Sequence, residues 1–214
     1  MMNIWLAVLA LLVALPGQAL AFSFSEEAGK DAAQRQAKQA EISALLSEPC
    51  RKSIKGQTIA LLIAEKQQGL MNVNASNQGV LFEALNSRLR GIGLSTIPQQ
   101  AITARIARAE AEAILNNDPD AALAASKRLG AAFILKGIIS ARSGANKMVK
   151  ANEVSVDIVL TLSDGSGRTV SQVRASGQSW AGTDVTGAAL SVLDDQADTL
   201  VAKLYSDFCA RGKK

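Results

Sequence analysis

The sequence predicts an α/β chain of the α+β kind, a mixed β-sheet of about five strands flanked by helices in the order β-α-β-α-α-β-β-β-α, with an N-terminal helical extension. Three observations carry this. Two short, continuous apolar runs, Thr58 to Ala64 and Ala131 to Ile139, have the length and composition of central strands covered on both faces. From Val154 to Leu162, apolar residues alternate with Ser155, Asp157 and Thr161, the period of a half-buried antiparallel strand. Around these runs lie stretches of helical period, the last and longest carrying Val185, Ala189, Val192, Leu193, Ala197, Leu200, Leu204 and Phe208 on one face.

Taken in chain order, the first residues read as an export signal. Met1-Met2-Asn3 leads into an uncharged apolar run from Ile4 to Leu15, and Pro16 and Gly17 then interrupt any helix. Ala19-Leu20-Ala21 has the small-x-small pattern of a signal-peptidase site, so residues 1–21 are expected to be removed by cleavage after Ala21. The run falls short of the roughly 20 apolar residues a bilayer span needs. It departs from the usual pattern in having no Lys or Arg before it, and no cysteine stands at the cut to take an acyl chain.

Residues 22–49 read as a helical extension rich in Ala, Gln and alternating charge, with Ser23 and Glu26 spaced as a capping box and Pro49 as the stop. Ile42, Leu45 and Leu46 are its anchoring residues, and its early half is expected to be mobile. A single domain is expected over residues 50–210, with 211–214 as a basic tail. After the strand from Thr58, a polar loop from Glu65 to Ser76 leads to a helix with Leu81, Leu85, Leu89 and Ile92 on one face, ended by Gly91 and Gly93. A brief strand, Leu94 to Ile97, stops at Pro98. Next come an Ala-rich helix with Ile102, Ile106, Ala109 and Ala113 on one face and a second helix with Asp118 as N-cap, Pro119 in the first turn and Gly130 as its end. Asp164-Gly165-Ser166-Gly167 is a hairpin turn, and Arg168 to Ser179 returns as the partner strand. The closing helix spans about Thr183 to Cys209.

Charge and chemistry narrow the function. The net charge of +4 is spread along the chain rather than grouped in a stripe, so no nucleic-acid partner is expected. Only Arg51-Lys52-Ser53-Ile54-Lys55 and the tail Arg211 to Lys214 are locally basic, which suits at most a weak contact with anionic lipid or a cell-wall polymer. The chain has no histidine, so the usual neutral-pH base, the commonest metal ligand and every Ser-His or Cys-His pair are missing. Neither a phosphate-binding loop nor a complete dinucleotide fingerprint occurs. The adjacent acids Glu26-Glu27 and Asp194-Asp195 read as solvated helix faces, because neighbours on a helix point in different directions. No enzyme, cofactor or metal site is expected. Both cysteines, Cys50 and Cys209, fall in the exported part, and an even number of thiols in an oxidising compartment predicts a disulfide between them.

Trp180, between the last strand and the last helix, either packs at the core edge or anchors a contact. If Val173 and Ala175 face inward, alternation sends Gly177 and Ser179 inward too and turns Trp180 outward, giving an interaction surface of Trp180, Arg174 and Gln178.

The segment Ala125 to Gly137, with Leu129-Gly130-Ala131 leading into Phe133-Ile134-Leu135-Lys136-Gly137, resembles a motif of one superfamily of bacterial envelope proteins. That group comprises the curli-secretion (CsgG-like) proteins, the TolB amino-terminal domain, the lipoprotein activators of penicillin-binding proteins and the flagellar assembly T protein. Val154 to Asp164 is similar to its hairpin strand, and the likeness runs from about Gln57 to Phe208. The resemblance implies a periplasmic domain that assembles with itself or with envelope protein partners and performs no chemistry. The function expected is therefore that of a periplasmic accessory or scaffold protein of a secretion, flagellar, pilus or polysaccharide assembly. The other reading is a soluble binding module for a small molecule or cell-wall polymer.

Overall fold

A computed structural model describes residues 24–67, 70–72, 78–146, 151–179 and 185–211 of the chain. Its helices are α1 (Phe24–Leu46), α2 (Arg51–Ile54), α3 (Gln78–Gly91), α4 (Gln99–Arg105), α5 (Arg108–Leu115), α6 (Pro119–Leu129) and α7 (Val185–Arg211). Its strands are β1 (Thr58–Gln67), β2 (Leu70–Asn72), β3 (Ser95–Thr96), β4 (Phe133–Asn146), β5 (Ala151–Asp164) and β6 (Thr169–Ser179). The strands form one mixed sheet in the order β2-β1-β4-β5-β6, with β3 pairing the same edge of β1 as β2 does. β1 runs parallel to β3 and β4, and the remaining pairs are antiparallel. This is the expected mixed sheet flanked by helices.

Two compact units divide the chain, Met1–Gln36 and Ala37–Lys214. In the first, the described residues are the beginning of α1, exposed from Ala28 on. In the second, α3 and α7 pack side by side on one face of the sheet, and α5 and α6 cover β4 on the other. The apolar run of β1 is buried on both faces from Ile59 to Ala64 for that reason. On the α7 face, Leu135, Leu160 and Val173 are buried in one cluster with Leu193, Leu200 and Leu204 of the helix.

Local chemistry sets the element ends. The Asp118 side chain accepts hydrogen bonds from the backbone N–H groups of Asp120 and Ala121, Pro119 occupies the first turn, and Gly130 closes α6 in the left-handed region at φ 65°. The β5–β6 turn is held by the Asp164 carboxylate, which accepts from the Ser166 N–H at 2.9 Å and the Arg168 N–H at 3.1 Å. Burial pushes this carboxyl up, and the hydrogen bonds from Ser166 and Arg168 outweigh it, so its pKa lies below the ordinary value. Gly167, at φ 82°, brings the turn onto the start of α6 so closely that a Cβ there would lie 2.6 Å from the Pro119 carbonyl oxygen.

Cys50, which precedes α2, is disulfide-bonded to Cys209 near the end of α7, with the Cα atoms 5.5 Å apart. Beside the bond, the Tyr205 hydroxyl donates to the Glu48 carbonyl at 2.7 Å. The adjacent acids of α7 divide their partners: Asp194 pairs with Arg88 of α3 and Asp195 with Lys38 of α1.

Two expectations are corrected. The polar loop expected from Glu65 begins with a hairpin, since β1 continues to Gln67 and β2 pairs back with Glu65 opposite Asn72. Edge pairing satisfies backbone groups whatever the side chains are, and a strand of 3 residues is too short to show a hydrophobic period. The Ala-rich helix is broken at Ile106, which is extended at φ −110° and ψ 119°, into α4 and α5. The break resets the helical phase, so the buried face of α5 is Ala111, Ile114 and Leu115 while Ala109 is exposed. Ser23, the expected capping residue of α1, lies outside the described residues.

Candidate interaction face

Among the described residues, helices cover only part of the sheet face opposite α7. Beneath α5 and α6 it buries Ile134, Lys136, Thr161 and Ser163. Farther along the same strands no described helix lies over this face. Strand register then fixes a grid: Ala64, Ile138, Val159 and Arg174 stand in one row across β1, β4, β5 and β6. Lys66, Ser140, Asp157 and Ser176 form the next row, and Arg142, Ser155 and Gln178 the one after. Lys66, Arg142, Asp157, Arg174, Ser176 and Gln178 are exposed. With strands about 4.8 Å apart and same-face residues about 6.7 Å apart along each strand, the grid measures roughly 14 Å on each side. It mixes cationic and hydroxyl groups around the Asp157 carboxylate, a surface able to donate and accept hydrogen bonds, with the half-buried Ile138 and Val159 along one side.

Of the sequence-predicted surface residues, Arg174 and Gln178 fall on this face and Trp180 lies outside the described residues. The strand phase is set by α7. A Cβ on Gly177 would meet Val192 Cγ2 at 2.7 Å, so Gly177 lies against the helix and its neighbours Ser176 and Gln178 turn away. Asp157, Lys66 and Arg142 were not singled out from the sequence. Alternation shows that a residue is exposed, but only the pairing register shows which exposed residues meet.

Lys136 was missed for another reason, since it sits inside an apolar run. It is 7 % exposed, and its Nζ donates to the Asn117 side-chain oxygen in the turn between α5 and α6. Asn117 reaches that position with a left-handed backbone, φ 70°. Burial pushes the Lys136 ammonium below the ordinary lysine value of 10.5. The unfolded chain therefore binds this proton more tightly than the folded one, and the cost of burying the charge fades as pH rises through the folded value toward 10.5. Wild type is expected to gain stability relative to Lys136→Met as pH rises over that window, measured by urea unfolding. Parallel stability curves for the two proteins would contradict it.

A cavity of about 290 Å³ lies between the later part of α1, α3 and α7, lined by Ile42, Leu46, Arg51, Arg88, Asp198 and Val201 among others. Arg88 is engaged there by Asp194 and Asp198. Among the described residues no group of three or more His, Cys, Asp or Glu side chains is placed to hold a metal ion, and no helix is long and apolar enough to cross a membrane.

No family model matches this chain, and no curated protein matches it. Solved structures do. The lipoprotein GNA1162 from Neisseria meningitidis is 11% identical with a TM-score of 0.41, over 67% of this chain and 99% of that one. The LpoB C-terminal domain from Salmonella enterica is 16% identical with a TM-score of 0.42, over 66% and 95%. PelC from Paraburkholderia phytofirmans, described as a dodecamer, is 12% identical with a TM-score of 0.41, over 67% and 88%. These are bacterial proteins, one of them a lipoprotein by description, and scores of this size bear on neither the activity nor the partners of this chain.

Proposed function

We propose that this chain is a non-enzymatic, exported accessory or scaffold protein of a bacterial cell-envelope assembly, working in the periplasm through protein-protein contacts made by the uncovered half of its sheet. The carrying observation is the grid around Asp157, where Lys66, Arg142, Asp157, Arg174, Ser176 and Gln178 are exposed on strands whose neighbouring stretch, Ile134, Lys136, Thr161 and Ser163, is buried under α5 and α6. The Cys50–Cys209 disulfide supports an oxidising compartment. A photo-crosslinking side chain in place of Gln178, with one at the exposed Lys127 of α6 as control, tests the reading in cells. Discrete adducts with envelope proteins, identified by mass spectrometry and several-fold stronger from position 178 than from 127, are the expected result. Equal labelling from both positions would overturn it.

The second reading, a binding module for a small molecule or cell-wall polymer, draws on the cavity beside Arg88. Its volume of about 290 Å³ falls just below the roughly 300–1,000 Å³ that ligand pockets occupy, so the contact reading is preferred.

A further inference from the structure

The two edges of the sheet are built differently. On one side, β2 with 3 residues and β3 with 2 residues divide the edge of β1 between them. Short, interrupted edge strands are one of the ways proteins blunt a row of unpaired backbone groups. On the other side the sheet ends in β6, which is 11 residues long. This strand contains no proline and no lysine, and Arg174 is its one charged residue. Its irregularity with β5 is confined to the beginning: the register shifts between Leu162 and Ser163, opposite Ser171 and Thr169, and is regular from Ser171 to Ser179. Among the described residues no strand pairs with its outer edge. Among the described residues, the β1 edge is broken into two short strands, whereas β6 carries only Arg174 and the irregularity at its beginning and is otherwise long and regular.

We infer that β6 is a self-pairing edge, on which a second copy of this chain docks its own β6 in antiparallel register centred on Ala175. This inference names one partner for the contact function proposed above and rests on that reading. The occupant is argued from self-complementarity. Ala175 is the midpoint of the regular segment Ser171 to Ser179. A two-fold axis there sets residues of the same face against each other, so both α7 helices lie on one side of the joined sheet. On that side, Val173 stands opposite the partner's Gly177, and because Val192 of α7 fills the place of a Gly177 side chain, these positions add no side-chain fit and the pairing rests on backbone groups and the other face. On the other side, Gln172 stands opposite the partner's Gln178 and Arg174 opposite the partner's Ser176. Shifting the centre by one residue, to Arg174, would set two guanidinium groups directly against each other, which is unfavourable across strands.

The register makes Ser176 the diagnostic position. Ser176→Glu places a carboxylate opposite the partner's Arg174 twice in each dimer, and Ser176→Arg places a guanidinium there twice. Inside one chain the effects reverse, because residue 176 stands opposite Asp157 of β5. Glu then meets a like charge and Arg an opposite one, so monomer stability and dimer affinity move in opposite directions. Sedimentation of the exported, purified protein across a concentration series is expected to show a monomer–dimer equilibrium. Ser176→Glu should tighten it and Ser176→Arg weaken it, each by about 2- to 30-fold from two cross-strand charge pairs. A wild type that stays monomeric at every concentration, or a dimer indifferent to both variants, overturns the inference. Because only this protein is present, that failure leaves crosslinking from position 178 to other envelope proteins as a separate result.

Discussion

Cys50→Ser is expected to lower the melting temperature of the oxidised protein by about 10–20 °C. The disulfide closes a loop across a sequence separation of 159, one of the longest the chain allows. On the loop-entropy model a closure of that length destabilises the unfolded state by about 5 kcal/mol. For a chain of this size each kcal/mol is worth about 2–4 °C. The Tyr205 hydrogen bond to Glu48 survives the substitution and keeps the two ends adjacent in the folded state, so the loss falls mainly on the unfolded side. Calorimetry with and without reductant checks this: reductant should lower the melting temperature of wild type to near that of Cys50→Ser and leave the variant unmoved. A wild type insensitive to reductant would show that the bond contributes nothing.

Leu160→Ala should cost about 3–5 kcal/mol of stability, the upper part of the range for deleting a fully buried leucine. Leu160 lies on the central strand β5 with no exposed surface, opposite Gly137 on β4 and Val173 on β6. The space it fills exists because Gly137 has no side chain: a Cβ there would be 3.1 Å from Leu160 Cδ2. Alanine at position 160 therefore leaves a void that glycine cannot help to close. The same geometry predicts coupling. Gly137→Ala alone crowds Leu160, whereas in the Leu160→Ala background the new methyl enters the void, so the double variant should be more stable than the sum of the single losses by about 0.5–3 kcal/mol. Urea unfolding of the four proteins measures the cycle, and strict additivity would mean that the two residues do not share this space.

Much of the fold was legible because its signals are local. Leu81, Leu85, Leu89 and Ile92 recur at helical spacing and all four are buried, the first three on α3 and Ile92 just past its end. Asp118, Pro119 and Gly130 mark the ends of α6 by hydrogen-bonding and conformational preferences that act within a few residues. The hairpin at Asp164 to Gly167 and the alternation in β5 were readable for the same reason. The hairpin β1–β2 was not, since its pairing lies in backbone hydrogen bonds and β2, with 3 residues, is too short to carry a period. Nor was the break at Ile106, because alanine is too weakly hydrophobic to show on which turn the buried face changes phase.

The candidate site divides along the same line. Alternation alone places Arg174 and Gln178 on the same face of β6, and the two cysteines in an exported chain lead to the disulfide between the ends of the domain. Those conclusions need only the covalent order of the residues, their local periods and the expectation of export. That Arg142, Asp157 and Ser176 meet in one grid, that Lys136 is buried under the α5–α6 turn, and that β6 ends the sheet were decided by the tertiary structure. Register, layer coverage and strand order depend on which distant elements pack together, and burial is a property of that packing rather than of any residue's neighbours in sequence.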